Sequence, residues 1–289
     1  MERIEESELV LNEDGSVYHI NLRPEHLADT IILVGDQGRV AKVSKHFDVI
    51  EHQRQNREFV THTGRIGSKR LSVISTGIGC DNIDIVINEL DALVNIDLEN
   101  RVIKTEKKSL NLIRLGTSGS LQKDIPVDSF ILSSHGVGFD GLMNYYRSGR
   151  EVEDSMLTEE FIKHTSWNSD LPRPNIIPGS RELINLIKEG THQGITATAG
   201  GFYGPQGRIL RLTPNVDQLN ELLTSFKHEG LRITNFEMET SALYGLSAAL
   251  GHKAATVCAI IANRLAKRYS ENHNVTVEKL IEHLLTRLV

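Results

Sequence analysis

Short runs of β-branched and apolar residues recur along this chain, each giving way to a glycine-bearing turn or a longer segment with helical spacing. Residues 30–34 (TIILV), 71–75 (LSVIS), 112–115, 130–133, 195–199 and 254–262 (AATVCAIIA) have the length and apolar continuity of strands buried on both faces. Between them, residues 81–96 carry Ile83, Val86, Ile87, Leu90 and Val94 at the spacing of one helical face. The helical patterns 181–188, 216–228 and 237–250 stop at Gly190, Gly230 and Gly251, glycine being the residue that best accepts the backbone of a helix C-terminus. Residues 275–288 close the chain as an amphipathic helix. Such alternation predicts a mostly parallel sheet covered by helices on both faces, an α/β fold.

With 289 residues and neither a linker nor a repeat, one domain spanning 1–289 is expected. Residues 1–28 are expected to form an N-terminal arm, since the first strong strand begins at Thr30. The polar stretch 97–109 (DLENRVIKTEKKS) is expected to be an exposed excursion.

Composition narrows the function classes. A formal net charge of −6 argues against nucleic acid or a membrane surface as partner, without excluding local basic pockets. The acidic segment MERIEESELV lacks the apolar run of a signal peptide or anchor, and no stretch reaches the length of a membrane span. Cys80 and Cys258 lack metal-ligand spacing and are read as reduced thiols, which predicts a cytoplasmic protein. The histidines form no HExxH or cysteine-histidine cluster, so no metal is expected. No G-x-S-x-G suggests a serine hydrolase.

Polar residues gather at the carboxyl ends of the predicted strands, where ligands of α/β folds collect. VGDQGR (34–39) follows the first strand; Gly35, Gly38 and Arg39 suit either a phosphate or a tight turn with a solvated arginine. STGIGCDN (75–82) lacks the third glycine of a dinucleotide fingerprint, so a Rossmann assignment fails. In IRLGTSGS (113–120), Arg114 lies within a strand that reads as buried and therefore needs an anion, either a structural carboxylate or a ligand that Thr117 and Ser118 also bind. GGFYGPQGR (200–208) offers Phe202, Gln206 and Arg208 either to a flat heterocycle or as an ordinary loop. In NFEMETSA (235–242), Glu237 and Glu239 are helix-start acids or ligand contacts. In IIANRLAKR (260–268), Asn263 and Arg264 face the crevice, or Asn263 caps a helix.

The ordered set GDQGR, NREF, STGIG, RLGTSG, FYGPQGR, FEMETSA and IIANR resembles the nucleoside phosphorylase superfamily, and within it the uridine phosphorylases, from about Val17 to the C-terminus. The resemblance implies a single three-layer α/β/α domain around a central mixed β-sheet. It also implies dimers as active units, assembled as hexamers, and reversible phosphorolysis of uridine to uracil and ribose 1-phosphate in nucleoside salvage. Inorganic phosphate would be a co-substrate and no organic cofactor is needed.

Laid onto matching positions, the family pattern implies phosphate contacts from Gly35, Arg39, Arg114 and Thr117, with Arg57 reaching a neighbouring subunit. It implies ribose contacts from Met238 and Glu239, with Glu237 alongside, and from His19 across the interface. It implies a base site of Phe202, Gln206, Arg208 and Arg264, with Arg208, Gln206 and Glu239 carrying the catalysis.

This chain departs from the family at Gln37 and Gly38, in the proline-glycine order of FYGPQGR, and in the length of 97–109. A monovalent cation site at the dimer interface would use Glu58 and Ile78, with Asn82 where a serine is usual. Asn263 stands where purine-specific relatives and hydrolytic nucleosidases carry an aspartate; an amide cannot protonate a purine nitrogen, which favours a pyrimidine. The alternatives are a purine nucleoside phosphorylase, a hydrolytic nucleosidase and a non-catalytic nucleoside-binding protein.

Overall fold

A computed structural model describes residues 3–216 and 218–289. Strand β1 (Thr30–Val34) is completely buried and leads through a short turn into helix α1 (Gln37–Ser44). Three antiparallel strands follow, β2 (Val49–Asn56), β3 (Phe59–Ile66) and β4 (Lys69–Ser75), of which β4 lies parallel to β1. Helix α2 (Cys80–Asn95) runs into a two-stranded ribbon, β5 (Ile96–Asp97) and β6 (Val102–Ile103), so the charged excursion contains structure of its own.

Strands β7 (Asn111–Ser120) and β8 (Phe130–Gly138) are joined by a short loop. After them come α3 (Ser155–Thr165), β9 (Asn175–Pro178), α4 (Arg181–Ile187) and β10 (His192–Thr198). Helix α5 (Leu219–Ser225) is shorter than the expected 216–228, because Lys227 and His228 turn back as β11 (Lys227–His228) on β12 (Leu231–Glu237). Helix α6 (Thr240–Leu250), β13 (Lys253–Asn263), β14 (Arg268–Tyr269) and α7 (His273–Leu288) complete the chain.

The main sheet runs β11-β12-β10-β8-β13-β7-β1-β4-β3-β2, with β9 on β8 and β14 on β13. It is mixed: β7 is parallel to β1 and β13, whereas β13 is antiparallel to β8. An additional antiparallel pairing of β12 with β7 closes β7, β13, β8, β10 and β12 into a ring.

The period-two geometry of β1 explains the three layers. Ile31 and Leu33 pack with Ile83, Val86 and Leu243 of α2 and α6 on one face. Ile32 and Val34 pack with Val40, Val277 and Leu284 of α1 and α7 on the other. The domain is the expected single α/β/α unit.

The N-terminal segment packs on this body: Val17, Ile20 and Leu22 are buried in the α2 cluster. The carboxylate of Glu89 on α2 accepts the backbone N–H groups of His19 and Ile20. Asn274-Val275-Thr276 matches a glycosylation acceptor by chance, and Thr276 is buried and donates its hydroxyl to Asp128. Among the described residues, no helix is long and apolar enough to cross a membrane.

Candidate active site

Turns that follow strands of the mixed sheet converge on a cavity of about 720 Å³. Gly35, Arg39, Arg114, Thr117, Phe202, Gln206, Arg208, Glu237, Met238 and Glu239 all line it. Sequence segments spread over two hundred residues thus meet: the turns after β1, β4 and β10, the end of β7, the junction of β12 with α6, and the end of β13 all reach this cavity, the closure of β12 on β7 bringing the two halves of the sheet together.

One end of the cavity carries two arginines. Arg114 projects from β7 and is 4 % exposed. Its Nε donates to Glu237 at 3.3 Å and its Nη2 to Glu239, while Nη1 is buried without a partner among the described residues. That orphan nitrogen lies within 4.0 Å of where a Cβ on Gly35 would sit, so glycine leaves the approach to it open. A buried donor left unmade is costly, and a ligand anion would relieve it.

Arg39 approaches from α1 and gives Nη1 to the Leu115 carbonyl at 3.1 Å. Burial pulls its pKa down and the neighbouring Arg114 adds to the effect. For Arg114, burial is outweighed by Glu239 and Glu237, which hold the guanidinium firmly charged. Glu237 and Glu239 balance the charge of Arg114, so the feature that suits a ligand anion is the unpartnered Nη1 of Arg114 with the Arg39 guanidinium beside it.

The two glutamates of NFEMETSA differ. Glu237 is the last residue of β12, not a residue of the helix. Its carboxylate is filled by four donors: the Thr198 hydroxyl, the N–H groups of Glu239 and Thr240, and Arg114 Nε. It ties β10, β7 and the start of α6 together, which leaves it poorly placed to accept from a ribose hydroxyl. The expectation of a sugar contact from Glu237 gives way to a positioning role for this reason.

Glu239, at the N-cap of α6, accepts from Gly79 N–H at 2.9 Å and from Arg114. Each of its oxygens has one hydrogen-bond donor among the described residues and so keeps capacity to accept another, and the residue lines the cavity. Burial raises its pKa, Arg114 opposes the rise, and Glu237 reinforces it. Gly79 reaches Glu239 because it adopts φ 101°, a backbone conformation open to glycine.

The other end is built for a flat polar group. Residues 204–206 form a single 3-10 turn after Phe202 and Tyr203, so the reordered Gly204-Pro205 pair still brings Gln206 into the wall. Arg208 lies over the Phe202 ring, Cζ 3.8 Å from the centroid, and its Nη1 donates to Gln206 Oε1 and to the Phe202 carbonyl. Phe202 therefore holds Arg208 as well as forming a wall. Burial lowers the pKa of Arg208. Burial, and then Arg208, bring Arg264 down to about 10.

Three expected site residues lie outside the lining of their own chain's cavity. Arg264 stands behind the base-side turn and donates Nη1 to the Gln206 carbonyl. His19 pairs through Nδ1 with Glu89 at 2.7 Å. Arg57 occupies the β2–β3 turn at φ 51°, its guanidinium 5.8 Å from the Tyr18 ring and its carbonyl accepting from Gln37.

Asn263 also departs from expectation. It is 2 % exposed, its amide is consumed by Gln122, Ile125 and Ala266, and the cavity wall at this strand end is formed by Ile261 and Ala262. With its amide spent on these backbone groups, Asn263 does not choose between a pyrimidine and a purine by direct contact, contrary to expectation.

Glu58, Ile78 and Asn82 gather around Gly77 at the cavity rim, but Asn82 Nδ2 donates to the Ile78 carbonyl at 3.4 Å, competing with a cation for that oxygen. Sequence reasoning missed Ile261 and Tyr269 as wall residues. Tyr269 arrives only through the β13–β14 hairpin, which no local signal announced.

The family model for the Phosphorylase superfamily matches residues 29–289. A uridine phosphorylase of Thermococcus kodakarensis is 30% identical over 279 residues, 94% of this chain and 86% of that protein. One from Haemophilus influenzae is 26% identical over 276 residues, 94% of this chain and 97% of its own. The solved structure of a Trypanosoma brucei nucleoside phosphorylase, which shows uridine phosphorylase activity, aligns with a TM-score of 0.86 at 30% identity, covering 97% of this chain and 99% of that one.

Proposed function

The chain belongs to the phosphorylase superfamily, and from that premise we propose that it is a uridine phosphorylase, a pentosyltransferase that reversibly converts uridine and phosphate to uracil and ribose 1-phosphate. One observation carries the reading: a single cavity joins an arginine pair with an unpartnered buried donor to a turn presenting Gln206 and Arg208. Inorganic phosphate fits the first end and the carbonyls and ring N–H of uracil fit the second.

In the proposed reaction Arg39, Arg114, Thr117 and the backbone beside Gly35 hold phosphate below the ribose C1′. Met238 packs against the sugar and Glu239 accepts from its hydroxyls. As the glycosidic bond stretches, positive charge grows on the ribose near the phosphate and Glu239. Negative charge moves to the uracil, where Arg208 and Gln206 receive it and Arg264 supports their turn.

The phosphate oxygen then forms the bond to C1′ as uracil leaves with the bonding pair. Catalysis rests on positioning and preorganised charge, with no covalent enzyme intermediate. Arg208 beside Gln206, with Arg264 behind their turn, sets positive charge at the base end, which suits a leaving anion and supports this assignment.

His19 and Arg57 stay out of their own chain's cavity, which supports a dimer in which each serves the neighbour's sugar and phosphate. The dimer is proposed as the active unit of a cytoplasmic hexamer. The test is to incubate the protein with uridine, thymidine or inosine, with and without phosphate, and to follow base release. Phosphate-dependent loss of uridine is expected. Release without phosphate would make it a hydrolase, preferential inosine cleavage a purine enzyme, and no release a binding protein.

A further inference from the structure

Asn263 is the last residue of β13, and its three polar contacts all go to backbone. Nδ2 donates to the carbonyls of Gln122 and Ile125, both at 2.8 Å, and Oδ1 accepts from Ala266 N–H at 2.8 Å. The side chain therefore binds the loop after β7 to the turn after β13. Asparagine supplies two donors and an acceptor at this reach; aspartate would set a carboxylate against two carbonyl oxygens, and serine would supply one donor.

The next residue is Arg264. Its backbone N–H goes to the Ser120 carbonyl at 3.1 Å, beside the Asn263–Ser120 register of the β13–β7 pair. Its guanidinium then reaches across to the Gln206 carbonyl and to Asn220 Oδ1, the latter at 3.2 Å. Gln206 in turn receives Arg208 on its side-chain oxygen. A continuous line of hydrogen bonds and chain connectivity runs from the Asn263 amide to the two groups at the base end.

We infer that Asn263 is a positioning residue for base recognition, acting through Arg264 on the turn that carries Gln206 and Arg208. The inference rests on the uridine reading only for what that turn recognises. It assigns Asn263 a task opposite to a direct base contact: its side chain faces Gln122 and Ile125, so an acid at this position would have no access to a bound base.

The test is a double-mutant cycle of Asn263→Asp and Arg264→Ala, with Asn263→Ser as the milder member should the aspartate variant fail to fold. Each single change should lower kcat/KM for uridine, on the order of a hundredfold, the loss expected when a catalytic group moves by about 1 Å. The loss should appear as a raised KM for uridine with KM for phosphate unchanged. The double variant should be little worse than Arg264→Ala alone, because both changes break one line of contacts.

Trypsin supplies a readout that needs no substrate. Cleavage after the exposed Arg211, just beyond the base-side turn, should accelerate in each single variant and no further in the double. Additive losses, unchanged cutting at Arg211, or inosine phosphorolysis gained by Asn263→Asp would overturn the inference. Should the unmodified protein fail to split uridine, the functional reading falls, and the trypsin cycle alone decides the role of Asn263.

Discussion

Replacing Glu239 by glutamine separates activity from stability. The wild-type carboxyl is 3 % exposed and its pKa is raised, chiefly by burial. An acid whose folded pKa lies above its unfolded value keeps its proton in the fold after the unfolded chain has released it. Stability therefore falls as pH rises from the unfolded value, near 4.5, through the raised folded one, and the cost persists above that window. Each unit of displacement costs about 1.4 kcal/mol, and glutamine does not incur it.

An opposing effect must be weighed. Removing one partner of a buried ion pair costs roughly 3–5 kcal/mol when the other is left alone. Arg114, however, keeps Glu237 at 3.3 Å, so the full penalty does not arise. The glutamine NH2 must face either Gly79 N–H or Arg114 Nη2, a cost of about 1–3 kcal/mol that offsets the relief, so Glu239→Gln is expected to melt close to wild type at neutral pH and to show a shallower decline in stability from acid to neutral pH.

Activity should fall. The glutamine oxygen can still accept from Gly79 or a sugar hydroxyl, but its NH2 cannot accept at all. One charge-assisted bond, worth about 1.5–3 kcal/mol, is lost, which corresponds to roughly a tenfold to a hundredfold fall in kcat/KM for uridine. A substrate without the 2′-hydroxyl, 2′-deoxyuridine, should be penalised less. Melting curves across pH with kinetics on both substrates test the reasoning. A variant as active as wild type but destabilised by several kcal/mol would refute it and make Glu239 a structural acid.

Arg208→Ala should lower kcat for uridine on the order of a hundredfold or more, as expected for loss of one preorganised donor to a developing anion; near-normal steady-state turnover would sink the assignment. Glu237→Gln should behave unlike Glu239→Gln, because its carboxylate serves four protein donors. Arg114 keeps Glu239, but the glutamine NH2 strands donors that it cannot accept from, and a loss of about 1–3 kcal/mol for each is expected in chemical denaturation; a variant as stable as wild type would show that these contacts are dispensable. His19→Ala and Glu239→Gln, each crippled alone, should regain part of their activity when mixed under conditions that exchange subunits. Mixtures no better than their components would place His19 outside the neighbour's site.

The sequence by itself determined the layers and the end of the sheet where chemistry collects. β1 was legible to the residue because TIILV is apolar on both faces, and α2 because its apolar residues keep one helical face. The glycine-rich turns with arginines or amides each suited an ordinary loop as well as a ligand, and it is their ordered set at strand ends that pointed to the cavity. Partner choice lies beyond such local signals.

β2 (VIEHQRQN) has no run of apolar residues to mark it and is a strand because β3 pairs with it at the sheet edge. β12 carries Thr234, Asn235 and Glu237 fully or nearly buried because it closes the ring between β10 and β7. Glu237 and Glu239 are indistinguishable on the page. Thr198 and Arg114 occupy the first, whereas Gly79 and Arg114 leave the second room for a sugar. Asn263 points away from the cavity because two carbonyls from the loop after β7 claim its amide. Periodicity and residue type report what a segment must bury; the direction and occupancy of each polar side chain follow from donors and acceptors brought close only by tertiary pairing.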